Sequence, residues 1–217
     1  MKISEFATHA SRPARTVRRS AQTGPISGGI SSMLVSHERE KLIQAINFFA
    51  RNTRKCGKVK LFKLLYFLDF EHFKRTGRSV TGQTYNAWKM GPVPVALFEE
   101  IDAPRSDLAE AVEFVARPIP GSDRPMIAVH PKAEFSDRHF TPREMTIMKN
   151  LAKEYATAAA EDMIEATHLE NLPWDRVYNQ PGGKQQVIPY ELALRPDEVE
   201  SVSRIAQDRK ELVDRLG

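Results

Sequence analysis

The sequence predicts an α+β fold that is mainly α-helical: a compact helical domain around a central apolar helix, with a small antiparallel β-sheet or hairpin. Two observations carry most of this prediction. The stretch "KVKLFKLLYFLDFEHFKRTG" is apolar around most of its helical circumference, which is typical of a central helix. The runs "VEFVARPI" and "PMIAVH" are rich in β-branched residues and flank a Pro-Gly turn. At about 150 residues per domain, 217 residues favour one domain plus a tail.

The first helix is predicted to begin at the capping residue Ser36 and to end at Gly57. Its apolar positions recur at helical spacing, as in Leu42, Ile46 and Phe49. The central helix follows from Lys58 to Thr76 and stops at Gly77. We expect its lysines to reach the edges of the helix or to pair with acids: Lys58, Lys60, Lys63 and Lys74.

The stretch "YNAWKMGPVPVALFEE" predicts a stiff strand-to-helix junction. A turn at Thr81–Gly82 precedes an extended piece over residues 84–89. Gly91 permits backbone angles that other residues avoid, and Pro92 disfavours helix in the residue before it. Pro94 fits the first turn of a following helix. We interpret the aromatic residues and this corner as the best-defined surface feature, with core packing as the alternative: Tyr85, Trp88, Gly91, Pro92, Val93 and Pro94.

The second half of the chain predicts the hairpin already named and then three helices. One helix starts with a capping box of Thr141 and Glu144, with Pro142 in its first turn. Thr157 is the expected cap of the next helix. "NLPWDRVYNQPGGKQQ" is predicted to be a loop with an exposed Trp174, and "QVIPYEL" a short strand or bridge. The chain ends in an amphipathic helix whose stripe includes Val199, Val202, Ile205, Leu212 and Leu216.

The net charge of +4 comes from the N-terminal segment. Residues 1–35 hold five of the 32 basic and one of the 28 acidic residues, so the remainder of the chain is balanced at 27 of each sign. Residues 1–34 are predicted to be a disordered basic tail, and residues 35–217 a single domain that includes the C-terminal helix. Two alternatives for the tail stay open: a transit peptide, or a true start at Met33.

The sequence argues against several classes of function. The most apolar run is shorter than the ~20 residues of a membrane-spanning helix, so we expect a cytoplasmic protein without a membrane partner. The single cysteine, Cys56, excludes an internal disulfide and a multi-cysteine metal cluster within one chain. Its neighbours Arg54, Lys55 and Lys58 would favour a lowered thiol pKa. The motifs of phosphate-binding loops, zinc proteases and serine hydrolases are not found.

The best catalytic candidate is a pair on the central helix. Asp69 and His72 lie three residues apart on one face, and His168 and Glu170 are able to join them if the helices pack together. Such a set is suited to binding a metal or to acid–base catalysis. The alternative is that His72 hydrogen-bonds a buried polar group, with Asp69 as its partner. Three aromatic side chains are candidates to stack on bases or anchor a protein partner, with core packing as the alternative for each: Tyr85, Trp88 and Trp174.

Taken together, three segments resemble the Panacea domain, the SocA-like antitoxin and phage-associated family. The segments are a Lys-Leu-Leu-Tyr helix with a following acid and histidine, a Thr-Gly turn with nearby aromatics, and Gly-Pro-Val-Pro before a helix; "THLENLPW" resembles a further block. The resemblance spans residues 37–194. The matching residues proposed for partner binding or for the motif are Lys63, Tyr66, Asp69, His72, Tyr85, Trp88, Gly91, Pro92, Val93, Pro94, His168 and Trp174.

This resemblance implies a bacterial or phage-borne antitoxin that neutralises a cognate protein toxin, encoded by an adjacent gene, through direct binding. It implies no enzymatic activity and no cofactor. Two alternatives from other classes remain: a metal- or His/Asp-dependent enzyme built on Asp69, His72 and His168, and a nucleic-acid-binding accessory protein that uses the basic tail.

Overall fold

A computed structural model describes residues 37–119, 121–169 and 172–216. The predicted tail, the alternative start at Met33 and the cap at Ser36 lie outside the described residues. Within the described ranges the fold is α+β and mainly α, as predicted, with helices α1 (Glu38–Asn52), α2 (Lys58–Thr76), α3 (Val95–Glu100), α4 (Ser106–Ala111), α5 (Pro142–Glu154), α6 (Ala160–Thr167), α7 (Pro173–Tyr178) and α8 (Val199–Leu216). The strands are β1 (Tyr85–Trp88), β2 (Gly91–Pro94), β3 (Val112–Ile119) and β4 (Ser122–Pro131).

Helix α2 is the central element. Its apolar side chains are buried on nearly all sides and pack against α1, α5, α6 and β2. It ends where predicted, because Gly77 takes the left-handed conformation with φ 66° and donates its N–H to the Phe73 carbonyl. The described part of the chain contains no helix that is both long and apolar enough to cross a membrane.

Helix α1 ends earlier than predicted, at Asn52 rather than Gly57. Thr53 has extended backbone angles, and its hydroxyl donates to the Phe49 carbonyl, which closes the last turn. Gly57 instead precedes α2 as its N-cap residue and forms a bridge with Ala128 of β4. The predicted glycine stop therefore belongs to the start of the next helix.

The first hairpin is short and buried. Strands β1 and β2 pair antiparallel from Tyr85 with Pro94 to Trp88 with Gly91, so the predicted strand-to-helix junction is itself a strand. Gly91 has φ 92°, a backbone angle that other residues avoid, as predicted. Pro94 is the last residue of β2 and the N-cap residue of α3, so it does not lie in the first turn of that helix. Backbone hydrogen bonds from residues 185–188 cover the other edge of β1, and the bridge between Asn86 and Val187 confirms the predicted bridge.

The second hairpin is long and largely exposed. Strand β3 matches the predicted "VEFVARPI", whereas β4 begins at Ser122, within the predicted turn. Pro120 of that turn lies outside the described residues. The ladder runs from Val112 with Pro131 to Ile119 with Ser122 and shifts register once, between Arg117 and Ile119.

The capping box at α5 is present as predicted: the Thr141 hydroxyl accepts the Glu144 N–H, and the Glu144 carboxylate accepts the Thr141 N–H. The cap predicted at Thr157 is wrong. Helix α6 begins at Ala160, because the Asp162 carboxylate accepts the Ala159 N–H there. The sequence did not predict α4, and it assigned the residues of α7 to a loop.

Helix α8 is amphipathic, as predicted, but only part of its apolar stripe is covered. Val202 packs against Phe73 and Leu194 in a small cluster beside the main core. Ile205 and Leu212 remain exposed.

Candidate functional site: the polar face of helix α2

Four polar side chains along α2 form the centre of the candidate site: Lys63, Tyr66, Asp69 and His72, each at most 3% exposed. They recur every three residues, and each such step falls about 60° short of a full helical turn. The stripe therefore winds around α2, so that Lys63 reaches β2 while Asp69 and His72 both bond the segment of residues 78–81. We call these four residues the α2 polar stripe.

Asp69 organises the segment that leads into β1. Its carboxylate accepts the backbone N–H groups of Val80 and Thr81 at 2.7 and 2.8 Å, the Thr81 hydroxyl at 2.5 Å and the Tyr85 hydroxyl at 2.7 Å. Complete burial raises the pKa of Asp69 to about 6, although these hydrogen bonds oppose the rise. The carboxylate thus holds one segment of backbone rather than facing a cavity.

Lys63 holds the second hairpin strand against α2. Its ammonium group donates to the Pro92 carbonyl at 2.9 Å and pairs with no acid among the described residues. The prediction that this lysine reaches an edge or an acid is therefore wrong, and so is that for Lys60, which donates to the carbonyls of Arg54 and Ala158. Burial lowers the pKa of Lys63 to about 7.

Trp174 connects the stripe to the end of β1. Its indole N–H donates to the Trp88 carbonyl at 2.9 Å, and its backbone hydrogen-bonds Tyr66. The His168 ring stacks on Trp174 with the ring centroids 3.7 Å apart. The expectation of an exposed Trp174 is wrong: the side chain is 4% exposed because α7 turns it towards the core.

The imidazole ring of His168 is not fully hydrogen-bonded. Its Nε2 atom is buried and has no hydrogen-bond partner among the described residues. Burial and the nearby Lys63 lower the pKa of His168, which favours the neutral ring.

His72 ends the stripe. Its Nδ1 atom donates to the Arg78 carbonyl at 2.8 Å, and its Nε2 atom lies 3.8 Å from the Glu144 carboxylate. Burial lowers the pKa of His72. The structure confirms that His72 bonds a buried polar group, but that group is the Arg78 carbonyl and not Asp69.

The structure does not assemble the candidate catalytic set. Asp69 and His72 are engaged by the backbone of residues 78–81, His168 stacks on Trp174, and Glu170 lies outside the described residues. Across the described ranges, no group of three or more His, Cys, Asp or Glu residues is placed to hold a metal. Burial raises the pKa of Cys56 to about 11, so the expectation of a lowered thiol pKa is also wrong.

The predicted surface feature is buried. Tyr85 and all of Gly91–Pro94 belong to the core, so the core-packing alternative is correct for them, and Trp88 is half-buried against Phe98. Two exposed apolar residues are instead Met90, in the turn of this hairpin, and Leu169, two residues after the end of α6, at 53% and 56% exposure. The sequence analysis did not single out either residue.

A comparison with protein-family models matches the part of the sequence that contains this site. The model described as "Antitoxin SocA-like, Panacea domain" matches residues 61–175. The chain belongs to this family. The match contains the whole α2 polar stripe, both strands of the short hairpin and Trp174. It is narrower than the span of residues 37–194 expected from the sequence, and it leaves α8 outside.

The assignment of this chain to the Panacea-domain family is based on that family model. Neither the curated proteins nor the solved structures contain a match to this chain.

Proposed function

We propose that this Panacea-domain protein is an antitoxin that neutralises a protein toxin by binding it directly. The toxin is encoded by an adjacent bacterial or phage gene, and the complex forms in the cytoplasm. The observation that carries the proposal is the family match over residues 61–175. The structure adds a physical reason for the motif, because its buried polar residues hold the short hairpin in one fixed position on α2.

The proposed toxin-binding surface surrounds the tip of the short hairpin. We call it the hairpin rim and define it by Trp88, Met90 and Leu169. Met90 precedes Gly91, which lies so close to α6 that a Cβ atom there would be 2.7 Å from the Thr167 hydroxyl. Leu169 follows two residues later, so both exposed side chains adjoin the same contact between hairpin and helix.

The chemistry of the hairpin rim suits a protein partner. Met and Trp are enriched at the centres of protein interfaces, and methionine adapts its shape to differently shaped partners. Lys63, Trp174 and the prolines of β2 fix the backbone beneath the rim, so little conformational entropy is lost on binding.

Co-expression tests the function itself. The neighbouring open reading frame is induced alone and together with this protein, and growth and co-purification are measured. Toxicity alone, rescue together and a stable complex are expected. Absence of toxicity, or rescue without a complex, would contradict the proposal.

Two single substitutions test the surface. Met90→Glu and Leu169→Glu should each weaken the complex by at least about tenfold, because each places a charge in an apolar contact. Ile119→Glu is the matched control: an exposed apolar residue of the other hairpin, at 44% exposure. Equal weakening by Ile119→Glu, or no weakening by either rim variant, would place the interface elsewhere.

We also propose that the α2 polar stripe has no catalytic role, because its side chains are engaged by the backbone of neighbouring segments. Elemental analysis of the purified protein, together with the activity of His72→Ala in the rescue assay, tests this. Stoichiometric metal combined with loss of rescue in a folded His72→Ala variant would favour the enzyme alternative.

A further inference from the structure

A second site lies on the long hairpin, away from the α2 polar stripe. The end of α1, the loop between α1 and α2, and the strands β3 and β4 enclose a cleft of about 350 Å³. This volume is at the lower end of the range of small-molecule sites, roughly 300–1,000 Å³. The cleft is lined by Ala50, Thr53, Lys55, Cys56, Arg117, Met126, Ala128, Val129, His130 and Pro131.

The lining of this cleft is basic. Lys55, Arg117 and His130 contribute basic groups, and the nearby carboxylate of the hairpin is Glu113, which pairs in register with His130. The Arg117 guanidinium donates one N–H to His130 Nε2 at 3.0 Å, and it has further N–H groups with which to bind an anion. The Lys55 ammonium has no hydrogen bond or ion pair within the described ranges. An anion would therefore find two cationic partners there.

The backbone at Lys55 supports a role for this lysine. Lys55 has φ 50°, a left-handed conformation that non-glycine residues seldom adopt. The loop is held there by the hydrogen bond from the Gly57 N–H to the Lys55 carbonyl at 2.8 Å, and from the Val129 N–H to the Cys56 carbonyl at 2.9 Å. The loop and β4 are thus tied together, which fixes the cleft before any ligand binds.

The remaining lining is apolar. Met126 and Ala128 supply an apolar surface next to the basic groups, because strand alternation sets them on one face of the hairpin with Arg117 and His130. A site with a charged end and an apolar wall fits a ligand with the same two parts. Arginine is especially suited to phosphate, because its planar N–H groups match two phosphate oxygens.

We propose that this cleft binds a small phosphate-bearing ligand with a flat apolar group, of the mononucleotide type. The phosphate contacts Lys55 and Arg117, and the apolar group packs on Met126 and Ala128. This inference is independent of toxin binding, because its residues belong to a different hairpin from the hairpin rim.

Isothermal titration calorimetry on the full chain at low salt tests the proposal with AMP, adenosine and tripolyphosphate as probes. AMP should bind more tightly than adenosine, and Lys55→Ala and Arg117→Ala should each weaken AMP binding by about tenfold, the value of one charge-assisted hydrogen bond. Lys149→Ala, at an exposed lysine of α5, is the matched control and should change nothing.

A further variant sharpens the test. Glu113 lies directly opposite His130 on the same face of the hairpin, so Glu113→Gln should strengthen AMP binding by removing a nearby negative charge. Equal affinity for AMP and adenosine would overturn the proposal. So would AMP binding that survives in the Lys55→Ala/Arg117→Ala double variant, or binding of tripolyphosphate without any binding of AMP. Circular dichroism checks that each variant is folded.

Discussion

The two β-hairpins of this protein are stabilised in opposite ways. The strands β1 and β2 have four residues each and are too short to be stable alone, whereas β3 and β4 have eight and ten. The short hairpin is buried and depends on side chains of α2 and α7 that bond its backbone. The long hairpin is mostly exposed and depends on its own ladder of hydrogen bonds.

This difference predicts which of the two hairpins a substitution in the core will disturb. The polar contacts of Lys63, Asp69 and Trp174 all lead to the short hairpin or to the segment before it. A buried polar group is costly when it loses its partner, so these contacts make the position of the short hairpin specific. The long hairpin is joined to the α1–α2 loop by backbone contacts of β4, so we expect it to tolerate changes on its exposed surface.

The largest expected effect is from Asp69→Ala. The substitution leaves the N–H groups of Val80 and Thr81 and the Tyr85 hydroxyl buried without their acceptor, which should lower the free energy of unfolding by about 3–5 kcal/mol. Urea unfolding followed by circular dichroism measures this. Glu113→Ala, on the exposed part of β3, should change stability by less than about 0.5 kcal/mol. A similar loss in both variants would refute the contrast between the hairpins.

A matched glycine pair provides the next test. Gly91 and Gly121 both have positive φ, at 92° and 77°, so an alanine strains the backbone at either position. At Gly91 the new Cβ would also lie 2.8 Å from the Lys63 ammonium group, while at Gly121 nothing lies within 4 Å. We expect losses of about 3 kcal/mol for Gly91→Ala and about 1 kcal/mol for Gly121→Ala. Equal losses in thermal or urea unfolding would show that crowding at Gly91 has no effect.

The buried lysine predicts a pH dependence. The pKa of Lys63 is about 7 in the folded protein and ~10.4 in the unfolded chain, so between these values the unfolded chain binds more protons. Stability should therefore rise with pH from about 7 to 10, by up to ~1.4 kcal/mol per pH unit from this group, and show no slope from it below pH 7. Lys63→Met should remove that slope.

Urea unfolding at several pH values, as the difference between wild type and Lys63→Met, isolates this contribution. The exposed Lys149→Met serves as the control and should retain the wild-type slope. A wild-type slope that persists in Lys63→Met would assign the pH dependence to other groups.

The smallest effect is expected at the two hairpin tips. Met90→Gln and Ile119→Gln replace exposed apolar side chains and should each change the free energy of unfolding by less than about 0.5 kcal/mol. Only Met90→Gln should weaken the toxin complex. Loss of stability in Met90→Gln would mean that this residue belongs to the core and is not free to contact a partner.

Much of the fold is readable from local sequence. The capping box of Thr141 and Glu144, the stop at Gly77 and the β-branched strands of the long hairpin each depend on residues that are close in the chain. The family resemblance likewise rests on short segments, and the family model confirmed it. The errors occurred where a local signal had two interpretations, as with Gly57, which fits the end of one helix and the start of another.

The site itself was only partly predictable. The sequence identified Lys63, Asp69, His72 and Trp174, but their roles depend on partners that lie far away along the chain. The Lys63 ammonium group donates to the carbonyl of Pro92, which lies 29 residues later in the chain. The Trp174 indole donates to the carbonyl of Trp88, which lies 86 residues earlier. Backbone carbonyls have the same chemistry at every residue, so no sequence pattern marks which one a buried side chain will reach.

By itself, then, the sequence determined the central helix, the capping box of α5, the amphipathic helix α8, the strands of the long hairpin and the family, because propensity, capping and alternation act over a few neighbouring residues. Only the tertiary structure decided that Gly91–Pro94 is a buried strand, that Trp174 faces the core and that Met90 and Leu169 remain exposed. Burial is a property of how distant segments pack. A short strand with two prolines and a lone tryptophan acquires its place only when α2 supplies the groups that hold it.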